Sequence, residues 1–418
     1  MKHIGIIGGG IVGLSAAYFI RKAGFRVTLF DKGNLQDNCS SGNAGMIVPS
    51  HFIPLAAPGM IAKGIRWMFN STSPFYVRPQ LSKELIAWGY QFYKHANERH
   101  VARSMPALSA LGLFSKSIFQ KWSTILPFDF GYQERGLLML YQSAGLEKEE
   151  IEIAHRANQL GMEARILSLP EIQKLEPDVK VRAHGGVYYP GDAHVIPHDL
   201  VSRLINYLKV DGVVFETNLE VSGFMAEGNS IKAIKTSRGE FAVDELIVAA
   251  GAWSGAVCRI LGFNLPMQAG KGYSFTLQDV KKNTRIPTIF LESRVAVTPM
   301  GNALRFGGTM EVTGVDHSVN MTRVKGITDS IRNYYPEMCV ALPARENVWH
   351  GLRPCSPDGM PYIGRSGRFR NMIVATGHAM MGLSLGPGTG KLVSEILSGD
   401  SPSVDLTLFD PDRYDKVK

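Results

Sequence analysis

The sequence contains no uninterrupted run of about 18 apolar residues, so no segment reads as a membrane-spanning helix. It contains no arginine–lysine tract either, although Lys and Arg outnumber Asp and Glu by 45 to 37 and the formal charge is +8. The basic residues are spread along the chain, which argues against nucleic acid as a partner. Cysteine is scarce. Cys39, Cys258, Cys339 and Cys355 stand far apart with no C-x-x-C pair, leaving no framework for zinc, an iron–sulfur cluster or a set of disulfides. No metal is expected. Low-complexity segments are missing, and 45% hydrophobic with 20% charged residues is the composition of an ordinary folded protein. The first residues lead into a strand instead of a charged segment followed by an apolar signal core, so the expectation is a cytoplasmic protein.

A chain of 418 residues is far longer than one typical core of about 150 residues, which implies two domains or one with large insertions. One stretch, Leu55 to Tyr76, mixes cations with aromatics: Lys63, Arg66, Trp67, Met68, Phe69, Phe75 and Tyr76. That mixture suits contact with the cytoplasmic face of a membrane, but the sequence favours a surface helix packed on the protein itself.

At the amino terminus, the apolar Ile4 to Ile7 runs directly into Gly8-Gly9-Gly10-Ile11-Val12-Gly13. Ser15 to Ala23 follows as a helix stopped by Gly24, then Arg26 to Phe30 as a second strand ending at Asp31 and Lys32. This is G-x-G-x-x-G in a βαβ context: Gly8 permits the tight turn, Gly10 lets amides approach a pyrophosphate, and Gly13 lets helix and strand lie close. Asp31 is placed to accept hydrogen bonds from a ribose diol. The unit does not distinguish NAD from FAD, because both share the ADP half.

Two further segments favour FAD. Ser40, Ser41, Gly42, Asn43, Ala44, Gly45, Met46 and Ile47 form a run of small and hydroxyl residues suited to close approach by an extended ligand. Near the far end, the apolar Met372 to Ala375 leads into Thr376-Gly377-His378 and on through Gly382-Leu383-Ser384 to an amphipathic Lys391 to Leu397. A helix amino terminus there would stabilise negative charge on the pyrimidine side of a flavin. Between these, the apolar Phe241 to Ala250 reads as a strand returning the chain to the nucleotide sheet, followed by Gly251-Ala252-Trp253-Ser254.

Together with Ala56-Ala57-Pro58-Gly59, Lys271-Gly272-Tyr273-Ser274 and Gly351-Leu352-Arg353-Pro354 followed by Pro357-Asp358-Gly359, these segments resemble the D-amino-acid oxidase superfamily of flavoproteins over nearly the whole chain. The resemblance is closest to its bacterial D-amino-acid dehydrogenases. It implies an α/β fold: a discontinuous Rossmann-type FAD-binding domain (1–55, 170–262 and 345–418) with an inserted α+β substrate domain (56–169 and 263–344) on a mixed or antiparallel sheet. FAD would be held noncovalently, since the offset of Cys355 does not match the tethering cysteine of sarcosine oxidases. Gly8, Gly10, Ile11, Val12, Gly13, Asp31, Lys32, the 40–47 loop, Ala250, Gly251, Trp253, Gly377, His378, Gly382, Leu383 and Ser384 would surround it.

The resemblance further implies oxidation of a small D-amino acid, with Arg353 holding the substrate carboxylate through its planar fork of donors. The alternative for Arg353 is a loop staple paired with Asp358. His51 and Tyr273 are further pocket candidates. Glycine oxidases carry an arginine where this chain has Met380 and a tyrosine near Ala296, so the pocket is expected to be larger and more apolar, favouring bulkier or cyclic substrates such as D-proline. Electrons would pass to quinone or another respiratory acceptor; an oxygen-using oxidase, an FAD electron-carrier subunit of a complex and an NAD-dependent dehydrogenase are the competing readings.

Overall fold

The computed structural model describes residues 1–36, 38–62, 64, 73–77 and 82–415. The first strand, His3–Ile7, pairs in parallel with Arg26–Phe30 on one side and Glu245–Val248 on the other. With Val214–Glu216, Met372–Thr376 and Tyr362–Arg365 they form a six-stranded sheet in which only Tyr362–Arg365 runs antiparallel. Ile4, Ile6, Val27, Leu29, Leu246, Ile247 and Val374 are all fully buried, the near-continuous apolar pattern of a parallel sheet covered on both faces.

The second sheet is larger. Its strands run in the order Trp349–Cys355, Gln268–Leu277, Ala303–Val312, Val295–Met300, Thr288–Phe290, Leu137–Tyr141, Gly185–Tyr189 and Arg165–Ser168, with Phe75–Val77 added to Ala303–Val312. Most pairs are antiparallel, and the two parallel ones make it a mixed sheet. Membership of this sheet departs from the expected boundaries: Gly185–Tyr189 and Trp349–Cys355 belong to it, although sequence reading places both in the nucleotide domain.

The stretch read as one strand from Phe241 to Ala250 is two. Gly239–Ala242 joins a three-stranded antiparallel sheet with Val221–Glu227 and Ser230–Thr236, and only Glu245–Val248 enters the nucleotide sheet. From Ser82 the chain forms two successive helices. Ser82 caps Lys83–His95 by accepting from Leu85 N, then Asn97 caps a new helix, Glu98–Ile125, by accepting from His100 N; each cap satisfies an amide that the first turn leaves without a partner. Of the aromatic and basic stretch, Lys63, Arg66, Trp67, Met68 and Phe69 lie outside the described residues. Phe75 packs on the small cluster around Trp88 and Met310, and Tyr76 lies under the Arg323 guanidinium at 4.7 Å.

The last long helix begins at Gly382 and runs to Ser398, nine residues earlier than the amphipathic pattern indicates and through Pro387. Its stripe of small residues explains the placement. A Cβ on Gly390 would stand 2.4 Å from Ser15 C, and one on Gly388 would stand 2.8 Å from Ser115 Cβ, so the helix lies directly against Ile11–Lys22 and Glu98–Ile125. The Ser115 hydroxyl donates to Ser384 O at 2.7 Å and accepts from Gly388 N at 3.0 Å. It thereby ties this helix to Glu98–Ile125 on the turn that holds Pro387.

Candidate active site

Where the parallel strands end, a cavity of about 1270 Å³ opens between the two sheets. It exceeds the 300–1,000 Å³ usual for a single small ligand, and lies at the carboxyl ends of the strands, where open α/β sheets bind ligands. Along the larger sheet it borders residues from Arg353 to Met139 and Tyr189, a span of five strand spacings to Met139, or about 24 Å.

Its nucleotide end is built by glycine and backbone. Gly8 has φ +109°, and a Cβ there would meet Ala249 O at 2.4 Å; a Cβ on Gly13 would lie 1.9 Å from Gly8 O. These two glycines let strand and helix touch. Gly10 differs, since its Cβ would meet nothing nearer than Ser40 Oγ at 3.5 Å; its open side borders the cavity. The Asp31 carboxylate accepts from Gly9 N at 2.7 Å and Gly33 N at 2.8 Å, which fixes it beside the glycine turn. Lys32 Nζ lies 3.8 Å over the Trp253 ring, and Trp253 stacks on His317, whose Nδ1 is 3.2 Å from His350 Nε2. This wall was not legible as a unit because its members come from four distant segments.

The 39–44 loop is held from outside. Arg305, which sequence reading missed, donates to Ser41 O and Asn43 O, while Ser274 Oγ donates to Gly42 O. Ser40 Oγ accepts from Ile11 N at the helix mouth. Gly42 is under the Trp349 ring, where a Cβ would fall 2.0 Å from Cδ2. Beyond it, Met46–Ile47 pairs with Ala193–His194, and Val48 N donates to Ser384 Oγ. At the carboxy-terminal turn, His378 is buried, its Nε2 2.9 Å from Thr389 Oγ1, and burial pushes it down to about 3, so the ring is neutral. Gly377 and Ala379 both take positive φ, and Met381, Gly382 and Leu383 bring the amino end of the last helix to the cavity.

Of the expected cofactor residues, Gly8, Gly10, Ile11, Val12, Asp31, Lys32, Ser40, Asn43, Ala44, Met46, Ala250, Gly251, Trp253, His378, Gly382 and Leu383 border the cavity. Gly13, Ser41, Gly45, Ile47, Gly377 and Ser384 do not; they shape the walls. Cys355 is fully buried away from the cavity, its thiol pushed up to about 12 by burial. Tyr273 borders the cavity, but its phenol donates to Glu311 Oε2 at 2.6 Å and accepts from Asn320 N. That commits it to the buried charges of Lys271, Glu311 and Arg323.

Arg353 is a half-buried cation facing this space. Its guanidinium lies over Gly272, where a Cβ would come 2.3 Å from Nη2, and Nη1 donates to Thr309 O. Thr309 holds φ +67°, a strained setting for a β-branched residue. Asp358 does not pair with Arg353: it takes a two-pronged contact from Arg413, Nε at 2.7 Å and Nη2 at 3.0 Å. Among the described residues no carboxylate pairs with Arg353, and burial lowers its affinity for its proton. Met380 and Ala296 both border the cavity.

The profile of the FAD dependent oxidoreductase family matches residues 3–396. The chain belongs to this family. The D-amino acid dehydrogenase of Granulibacter bethesdensis is 30% identical over 407 residues, covering 96% of each chain. That of Neisseria meningitidis is 30% identical over 416 residues, covering 96% of this chain and 98% of its own. Among solved structures, glycine oxidase from Geobacillus kaustophilus superposes with a TM-score of 0.78 at 22% identity over 99% of both chains. L-proline dehydrogenase from P. horikoshii gives 0.75 at 20% identity over 99% and 98%. The cavity's own residues fit FAD: Gly10 is open toward it, where a pyrophosphate would lie, the Asp31 carboxylate is fixed beside the glycine turn, where a ribose would lie, and the amino end of the last helix reaches it, where the flavin would lie.

Proposed function

We propose that this flavoprotein oxidises D-amino acids to imino acids, which hydrolyse to 2-oxo acids and ammonia, and delivers the electrons to a quinone. The observation that carries the reading is Arg353: a half-buried guanidinium at the cavity wall with no carboxylate partner among the described residues. An unpaired charge partly withdrawn from water is costly, and a substrate carboxylate supplies its counter-ion. Bound FAD supplies the acceptor for hydride from the substrate α-carbon. Arg353 fixes the carboxylate in two-pronged fashion, which positions the α-carbon. The neutral His378 holds the turn through Thr389 and adds no competing charge.

Cyclic D-imino acids such as D-proline are the second reading, favoured by Ala296 and Met380 at the cavity wall. Contact with the cytoplasmic face of a membrane would accompany a quinone acceptor; among the described residues no helix is long and apolar enough to cross one. The test is anaerobic mixing of the holoprotein with D-amino acids, L-amino acids, D-proline and glycine while flavin absorbance is followed. Bleaching by D-compounds is expected, with slow recolouring on admitting air and fast recolouring on adding a short-chain quinone. A holoprotein bleached only by L-compounds, or by none, contradicts the reading.

A further inference from the structure

Along the cavity runs a line of polar groups that the carboxylate anchor does not use. His51 borders the cavity. Its Nδ1 is 3.3 Å from Ser50 Oγ, and Ser50 Oγ donates to Asp192 Oδ2 at 2.5 Å, while Ser50 N donates to Asp192 Oδ1 at 3.3 Å. Ser50 is 7% exposed and Asp192 is 2% exposed. Because the Ser50 hydroxyl spends its one proton on Asp192, it can only accept from His51, which places the imidazole proton on Nδ1. Nε2 then carries the lone pair, and among the described residues no protein group hydrogen-bonds it.

The surroundings hold this line in place. Pro49 packs on Gly112, whose Cβ would stand 3.2 Å from Pro49 Cα, and Asp192 O accepts from Gly136 N at 3.0 Å. Lys116 on helix Glu98–Ile125 and Tyr188 and Tyr189 on strand Gly185–Tyr189 face Asp192; Arg294 faces His51.

We propose that His51 is a catalytic base for the substrate ammonium, and that Ser50 and Asp192 are positioning residues that carry its proton away. This rests on the D-amino acid reading above. An ammonium cannot release hydride from its α-carbon, so the amine must first become neutral. The ammonium proton passes to His51 Nε2, the Nδ1 proton to Ser50 Oγ, and the Ser50 proton to Asp192, which ends as the neutral acid. Three protons shift in turn for a net transfer of one, no electron moves, and the amino acid is left ready for oxidation. Burial, aided by Arg294, lowers His51 to about 4, so its base form persists at neutral pH; burial raises Asp192 to about 7, so the carboxylate there can hold a proton.

The test is the rate of anaerobic flavin reduction by a D-amino acid, measured from about pH 7 to about pH 10, for wild type, Asp192→Asn and Ser50→Ala. Asparagine still accepts the Ser50 hydrogen bond but takes no proton. Both variants are expected to reduce at least about tenfold more slowly near pH 7, with the deficit closing toward pH 10, where the substrate amine is itself largely neutral. A deficit of the same size at both pH values, or none, in the variants that bind FAD overturns the relay. If Asp192→Asn loses its flavin, Ser50→Ala decides. Failure of wild type to reduce with any D-amino acid rejects the functional reading instead, and so is distinguishable.

Discussion

The two ends of the cavity are built on opposite plans. The nucleotide end uses short-range backbone: Gly8, Gly10 and Gly13 fall within six consecutive residues, and the Asp31 carboxylate is fixed by two amides of the same βαβ unit. The substrate end is assembled from side chains far apart in sequence. Arg353 rests on Gly272 and Thr309, and His51 is backed by Asp192 across more than a hundred residues. Binding a nucleotide common to many enzymes needs little beyond open amides and a turn, whereas holding and deprotonating one class of small molecule needs buried charge, and buried charge must be supported from several directions.

Substitutions should separate the two ends. The largest effect is expected for Gly13→Ala, whose Cβ would lie 1.9 Å from Gly8 O; the protein should purify without flavin or fail to fold. Gly10→Ala meets only Ser40 Oγ at 3.5 Å, so it should fold and bind FAD more weakly, by about tenfold in Kd, or about 1.4 kcal/mol. Equal behaviour of the two variants in flavin titration would remove the distinction between packing and ligand-facing glycines.

At the substrate end, Arg353→Leu should retain its flavin and lose about 100-fold in kcat/KM, or about 2.7 kcal/mol; a loss below tenfold would show that the anchor lies elsewhere. Asp358→Asn should cost about 3 kcal/mol of stability by stranding the largely enclosed Arg413. Its pH dependence has a definite sign. Burial alone would raise the Asp358 carboxyl, and Arg413 more than reverses this, so its stabilisation is present above the ordinary carboxylate pKa of about 3.9 and is lost as pH falls through its lower folded value. Denaturation should therefore show a shallower acid limb in the variant. Glu176 and Asp192 oppose this trend, because burial raises each to about 7; their contribution is present below the ordinary carboxylate range and is lost as pH rises toward neutrality.

The smallest effect on catalysis is expected for Tyr273→Phe. Its phenol serves Glu311 and Asn320, so unfolding should show a loss of about 1–3 kcal/mol with kcat/KM within about twofold of wild type. A large fall in kcat/KM at unchanged stability would restore the tyrosine to the reacting site.

This contrast also explains what the sequence made legible. The βαβ unit was readable because periodicity and glycine spacing are local, and the carboxy-terminal turn for the same reason. The start of the last helix was hidden because Gly386, Pro387, Gly388 and Gly390 oppose helix by propensity and are helical only through contact with Ser15, Ser115 and Ile11. The division of Phe241 to Ala250 was hidden because one apolar run serves two sheets. Arg353 carried a sequence signal, but its choice between substrate and Asp358 depended on Arg413, sixty residues away. Arg305, Thr309, Ser50 and Asp192 gave no signal, since each acts only on a group brought to it by the fold.

The most direct measurement is an anaerobic titration of the holoprotein with one D-amino acid and its L-enantiomer, following flavin absorbance and assaying 2-oxo acid and ammonia. The expected result is complete bleaching by the D-form alone, with one 2-oxo acid and one ammonia formed for each flavin reduced. Bleaching by the L-form alone, or bleaching without 2-oxo acid, would contradict the assignment of this cavity to D-amino acid oxidation.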